Sequence, residues 1–164
     1  MAPVIAVVGP GEGASPASVA DATLLGRLLA QRGWTIVCGG RASGVMAAVA
    51  ASATASGGLV IGLLPGMNRD DAAPALTVAL PTGLGEARNV LVVTAADAVV
   101  GCGMSTGTAS EIALALHARK PTVLVRCADE DAAFFRRHAG GGQPFVAATV
   151  EEAVAWLAER CSSG

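Results

Sequence analysis

"DAVVGCGMSTGTASEIALALHARKPTVLV", Asp97 to Val125, decides the fold. An apolar run, Asp97 to Gly101, enters the glycine turn "GCGMSTGT", which opens a helix-forming stretch from Thr106 to Arg119 before a second apolar run starts at Pro121. Runs that are apolar at every position, rather than at alternate ones, belong to strands covered on both faces. Two such strands joined by a helix make a right-handed crossover and lie parallel.

The same unit repeats along the chain. "PVIAVVG" (Pro3 to Gly9), "WTIVCGG" (Trp34 to Gly40), "LVIGLLPG" (Leu59 to Gly66) and "LTVAL" (Leu76 to Leu80) read as further strands. Helices are predicted over Pro16 to Gln31, Ser43 to Ser56, Gly85 to Ala95 and the C-terminal "TVEEAVAWLAERC". The last opens with a capping box, Thr149 to Glu152, and is expected to cover the sheet edge. "AGGGQP", Ala139 to Pro144, reads as a flexible loop. The expected fold class is therefore α/β: a single Rossmann-like, doubly wound, mostly parallel sheet with helices on both faces, one domain over residues 1–164.

Composition narrows the function. The 52% hydrophobic fraction contains only 3% aromatic residues, so the core must be tiled from small aliphatic contacts, as in parallel strands under Ala-rich helices. Eleven basic against thirteen acidic side chains leave no cationic footprint for nucleic acid or an anionic membrane. The uncharged stretch Ala42 to Asn68 is interrupted by "ASATASGG", too polar for a membrane span. No secretory signal is visible, and Cys38, Cys102, Cys127 and Cys161 have neither disulfide nor zinc spacing, so free thiols in a cytoplasmic protein are expected, without a role.

Three strand-to-helix turns carry the chemistry: "GPGEGASP", "CGGRASG" and "GCGMSTGT". In a parallel sheet all three open at the same edge, where helix N-termini offer unpaired N–H groups and a partial positive charge to an anion. Gly9, Gly11 and Ala14 fit a relaxed dinucleotide pattern, yet the second strand ends in Cys38-Gly39-Gly40-Arg41, with no acidic residue for a ribose. Arg88, in "TGLGEARN", stands in the first turn of a predicted helix, where the macrodipole disfavours a cation and a bound anion would offset the cost; pairing with Glu86 is the alternative. Arg41 stands similarly before the second helix.

Two features remain open at this level. Thr108 to Glu111 matches a capping box, which competes with any chemical role for Glu111. "GMSTG" matches a serine nucleophile elbow at Ser105, for which only His138 follows in suitable order.

Taken together, "GGRASGVMAAVAASA", "TGLGEARN" and "GMSTGTASEIALALHARKP" resemble the Rossmann superfamily once mislabelled lysine decarboxylases, which includes the Lonely-guy cytokinin-activating phosphoribohydrolases. The loop Gly103 to Glu111 is similar to that of molybdenum cofactor carrier proteins within it. The resemblance implies a non-catalytic, cytosolic carrier of the molybdenum cofactor (molybdopterin) or a related phosphorylated pterin, with no catalytic metal. It also implies assembly into a homo-oligomer, dimer or tetramer. The ligand-binding set is then Gly9, Gly11, Gly39, Gly40, Arg41, Gly44, Arg88, Gly103, Met104, Ser105, Thr106, Gly107 and Thr108. The alternative it implies is a nucleoside 5′-monophosphate phosphoribohydrolase with Arg88 and Glu111 catalytic. Met104 and Ser105 stand where those enzymes carry glycines, and their side chains reduce the close backbone approach that glycine permits.

Overall fold

Strand β1 (Val4–Val8) is the pivot of the molecule. From it the chain runs outward through α1 (Pro16–Gln31), β2 (Thr35–Cys38), α2 (Gly44–Ala55), β3 (Val60–Leu64) and β4 (Val78–Pro81). It then returns to the other side of β1 through a 3₁₀ turn (Gly85–Arg88), α3 (Asn89–Thr94) and β5 (Ala98–Cys102). Outward again come α4 (Thr106–His117), β6 (Thr122–Val125), α5 (Asp129–His138), β7 (Phe145–Ala147) and α6 (Val150–Cys161). The computed structural model describes residues 1–161. Its seven strands pair in the order β4-β3-β2-β1-β5-β6-β7, every neighbouring pair parallel, in an α/β Rossmann-like sheet.

Alternate residues of each strand feed two cores. Ile5, Val7, Ile36 and Val100 pack under α1, α2 and α6, with Leu25, Leu29, Val49 and Leu157 contributed from above. Ala6, Val8, Val37 and Val99 face α3, α4 and α5 through Val92, Ile112, Leu116 and Phe135. The scarcity of bulky rings is made good by close backbone approach: a methyl group added to Gly26 of α1 would meet the backbone of α2 at Val49 O, 2.7 Å away. The strand order reverses between β1 and β5, so the loops after them diverge to opposite faces and open a crevice at the strands' C-terminal ends.

Several expectations need correction. The helix predicted over Gly85 to Ala95 is a 3₁₀ turn followed by a short α3, and the strand predicted over Leu76 to Leu80 is β4, Val78–Pro81. The capping box at Thr149 forms, with Glu152 N–H donating to Thr149 Oγ1 at 3.1 Å. As expected, α6 covers the β7 edge of the sheet, on the face it shares with α1, where Val150, Ala153, Val154 and Leu157 form one apolar stripe against the strands. Phe145 of β7 stacks on Trp156 at 5.2 Å and fastens α6 there.

Two elements were not anticipated. α5 begins with Asp129, Glu130 and Asp131 and ends with Arg136, Arg137 and His138, charges that complement its dipole and conceal a weakly apolar helix. β7 is only three residues long. Residues 42–68 form α2, a turn and β3, and among the described residues no helix is long and apolar enough to cross a membrane.

Candidate functional site

The turns after β1, β2 and β5, together with the 3₁₀ turn, enclose a cleft of about 280 Å³ at the crevice. Its walls include Gly9, Gly11, Gly39, Arg41, Arg88, Ser105, Gly107 and Thr108 from the expected set, and Glu111 at its floor. Glycine is required in two of these walls. A Cβ at Gly9 would stand 2.5 Å from Cys102 O, closing the gap between the β1 and β5 loops, and one at Gly39 would stand 2.7 Å from Arg88 Nη2.

Five expected residues do not line the cleft. Gly40 and Gly44 have positive φ (74° and 52°) and serve the path of the second loop instead; a side chain at Gly44 would run into the Pro10 and Gly11 carbonyls. Gly103 (φ 81°) turns the third loop against Ser18. Met104 packs toward Leu124 and Cys127 on the far side of that loop, and the side chain of Thr106 is outside the cleft. Ser43, Met46, Glu12, Glu86 and Asn89 line it without having been expected. Ser43 was the most legible of these, being a serine placed at an N-cap.

The start of α4 resolves both open readings. Ser105 is the N-cap: its Oγ accepts from Thr108 N–H at 3.2 Å and pairs with Thr108 Oγ1 at 2.9 Å. Thr108 is therefore inside the helix, and the capping box from Thr108 to Glu111 does not form. Nor is Ser105 a nucleophile served by a histidine. His138 lies with His117 and Leu116 at the opposite end of α4, roughly 18 Å along a helix of this length. The N–H groups of Thr106 and Gly107, in the first turn, have no acceptor among the described residues.

Glu111, one turn further along α4, meets Arg88. Arg88 Nη1 stands 3.3 Å from Glu111 Oε1, both side chains being buried, and donates to Asn89 Oδ1 at 2.7 Å. Burial pushes the Glu111 carboxyl up to about 7, with Glu86 adding to the rise and Arg88 opposing it. Arg88 is thus not paired with Glu86. That carboxylate bridges Arg41 at 3.1 Å across the exposed mouth of the cleft. Arg88 Nε is the one buried side-chain polar atom among the described residues that has no partner. A buried guanidinium donor left unsatisfied is costly, and an acceptor placed against it relieves that cost.

The electrostatic balance of the cleft is mixed. Arg41 and Arg88 face Glu12, Glu86 and Glu111. The N-termini of α2 and α4 add positive potential, and a carboxyl near 7 withdraws part of the negative charge at neutral pH. Cys38 and Cys102 lie in the core and do not line the cleft, and burial pushes their thiols up to about 11 and about 12, away from any nucleophilic role. Among the described residues no cluster of three or more metal-ligating side chains exists.

The whole chain has known counterparts. It is 36% identical to the molybdenum cofactor binding protein of the phototrophic bacterium Rippkaea orientalis, with a TM-score of 0.94 over 98% of each chain. It is likewise 36% identical to the Moco carrier protein from Chlamydomonas reinhardtii, with a TM-score of 0.92 over 100% of both. An uncharacterized protein of Archaeoglobus fulgidus is 38% identical over 116 residues, 71% of this chain and 75% of its own. The model of the SLOG cluster4 family matches residues 2–154, and the chain belongs to that family.

Proposed function

We propose that this protein is a non-catalytic carrier of the molybdenum cofactor or a closely related phosphorylated pterin. The observation that carries the reading is the full-length likeness to two proteins that bind or carry this cofactor, at TM-scores of 0.94 and 0.92. The cleft is compatible with such cargo. Its phosphate fits against the free N–H groups at the start of α4, with Arg88 as counter-charge and Ser43 and Arg41 at the second loop. The pterin then extends toward Gly9 and Gly11. The phosphoribohydrolase alternative is not favoured, because the full-length likeness is to cofactor-binding and carrier proteins.

Adding the cofactor to pure protein raises its melting temperature by mass action, about 2.7 kcal/mol of stabilisation at a hundredfold excess over Kd. No rise at saturation sinks the carrier reading. Adenine released from adenosine monophosphate above background, and lost in Glu111→Gln, replaces it with the hydrolytic one.

The carrier also self-associates in this proposal, as a cytoplasmic homo-oligomer. Val78 and Leu80 pair in register with Ile61 and Leu63 and so share their sheet face, yet both are exposed, as are Leu84, Val90 and Leu91 nearby in the chain. A parallel sheet buries both faces, and a second copy is the simplest cover for this one. Sedimentation showing monomer alone at micromolar concentration removes this part.

A further inference from the structure

The sequence motifs leave Asn89 and Ser110 without a task, but their hydrogen bonds have a direction that bears on Arg88. Ser110 Oγ donates its only proton to Gly107 O at 2.7 Å. Toward Asn89, 2.9 Å away, it can therefore only accept, and Asn89 must present Nδ2 to it. That choice turns Asn89 Oδ1 toward Arg88 Nη1 at 2.7 Å. Glu111 Oε1 takes the other Nη1 proton, at 3.3 Å. Nη1 is then fully used, while Nε has no partner and Nη2 has none among the described residues. Nε and Nη2 form the side of a guanidinium whose two parallel N–H groups match two oxygens of a phosphate or sulfate.

We propose that Asn89 is a positioning residue and Ser110 its orienting hydroxyl. Together they occupy Nη1 and hold the Nε–Nη2 fork of Arg88 in reserve for a tetrahedral oxyanion. The relay starts at Gly107 in the first turn of α4, so it also keeps the fork in register with the N–H groups that take the rest of the anion. Asn89 is buried whereas Ser110 is exposed, so the hydroxyl can be altered without opening the core. The proposal rests on the reading that an anion sits at Arg88.

Uniformly ¹⁵N-labelled protein titrated with sodium sulfate supplies the test, followed at the Nε–H resonance of Arg88 as assigned by its loss in Arg88→Lys. Sulfate is a dianion throughout the working pH range and carries no pterin. In the unaltered protein the resonance moves and saturates. Asn89→Ala weakens sulfate about tenfold and Ser110→Ala about threefold, the size expected when hydrogen bonds to a charged group lose their alignment. Ser110→Thr, which keeps the hydroxyl, restores the original affinity. In an Asn89→Ala background Ser110→Ala has no further effect, because the relay is already cut. Unaltered affinity in Ser110→Ala, or an equal loss in both backgrounds, overturns the relay while leaving the anion site standing. No response of the unaltered protein to sulfate overturns both.

Discussion

Glu111→Gln should flatten the dependence of folding stability on pH between 4.5 and about 7. In the folded protein burial holds the carboxyl up at about 7, against an ordinary 4.5, even though Arg88 opposes the rise. Below the ordinary value the group is protonated in both states and contributes no slope. Between the two values the unfolded chain has released a proton that the folded chain retains, so stability falls as pH rises. Above about 7 both states are ionised and the loss levels off. The interval from 4.5 to about 7 corresponds to a loss of about 3 kcal/mol.

Urea midpoints measured across this range in both proteins isolate the effect, since every other ionisable side chain is common to the two and cancels in the difference. The unaltered protein loses ground relative to Glu111→Gln as pH rises, by an amount approaching that figure. Parallel curves for the two proteins refute the assignment of a raised carboxyl to Glu111. A dianion seated at Arg88 raises the carboxyl further, so calorimetric binding of sulfate near pH 8 draws a proton from the buffer, and Glu111→Gln removes that uptake.

Arg88→Ala abolishes any cofactor-induced rise in melting temperature. It also destabilises the fold by about 3 kcal/mol, because a buried carboxyl loses its partner; thermal shift and urea unfolding read the two effects separately. Gly39→Ala places a methyl 2.7–2.8 Å from the Arg88 nitrogens and the Met46 sulfur, so ligand binding falls about tenfold for an overpacking cost of about 1–3 kcal/mol, both measurable by calorimetry and denaturation. Ser105→Ala costs about 1 kcal/mol of stability through loss of the α4 cap and leaves ester hydrolysis at background; loss of a measurable esterase activity in this variant contradicts the cap assignment. With thiols pushed up to about 11 and about 12, Cys38 and Cys102 resist alkylation near neutral pH until the protein unfolds, as mass spectrometry of labelled peptides will show.

What could be read in the residues, and what could not, divides along physical lines. Buried parallel strands and capped helices announce themselves locally, so β1, β2, β3, β5, β6, α1, α2 and α4 stand close to their expected bounds. α5 was hidden because its apolar face is reduced to Ala132 and Phe135 amid charges. In the cleft, the glycine turns were legible as turns, but which side of a turn faces the ligand is a property of the tertiary path. Met104 lies in the same motif as Ser105 and points the other way. The Arg88–Glu111 pair joins positions 23 residues apart, and no local pattern could separate it from the Arg88–Glu86 alternative. Asn89 was invisible because its role depends on a proton held by Ser110, 21 residues away.

Arg88 reaches the cleft by a different route from its neighbours. Most of the walls hang from β1 and β5 at the centre of the sheet, whereas Arg88 ends a 3₁₀ turn that follows the outermost strand, β4. Cargo gripped at both places becomes a clasp between the frame's fringe and its keystone. Loading then slows amide exchange along Val78–Pro81, the strand from which the Arg88 turn departs.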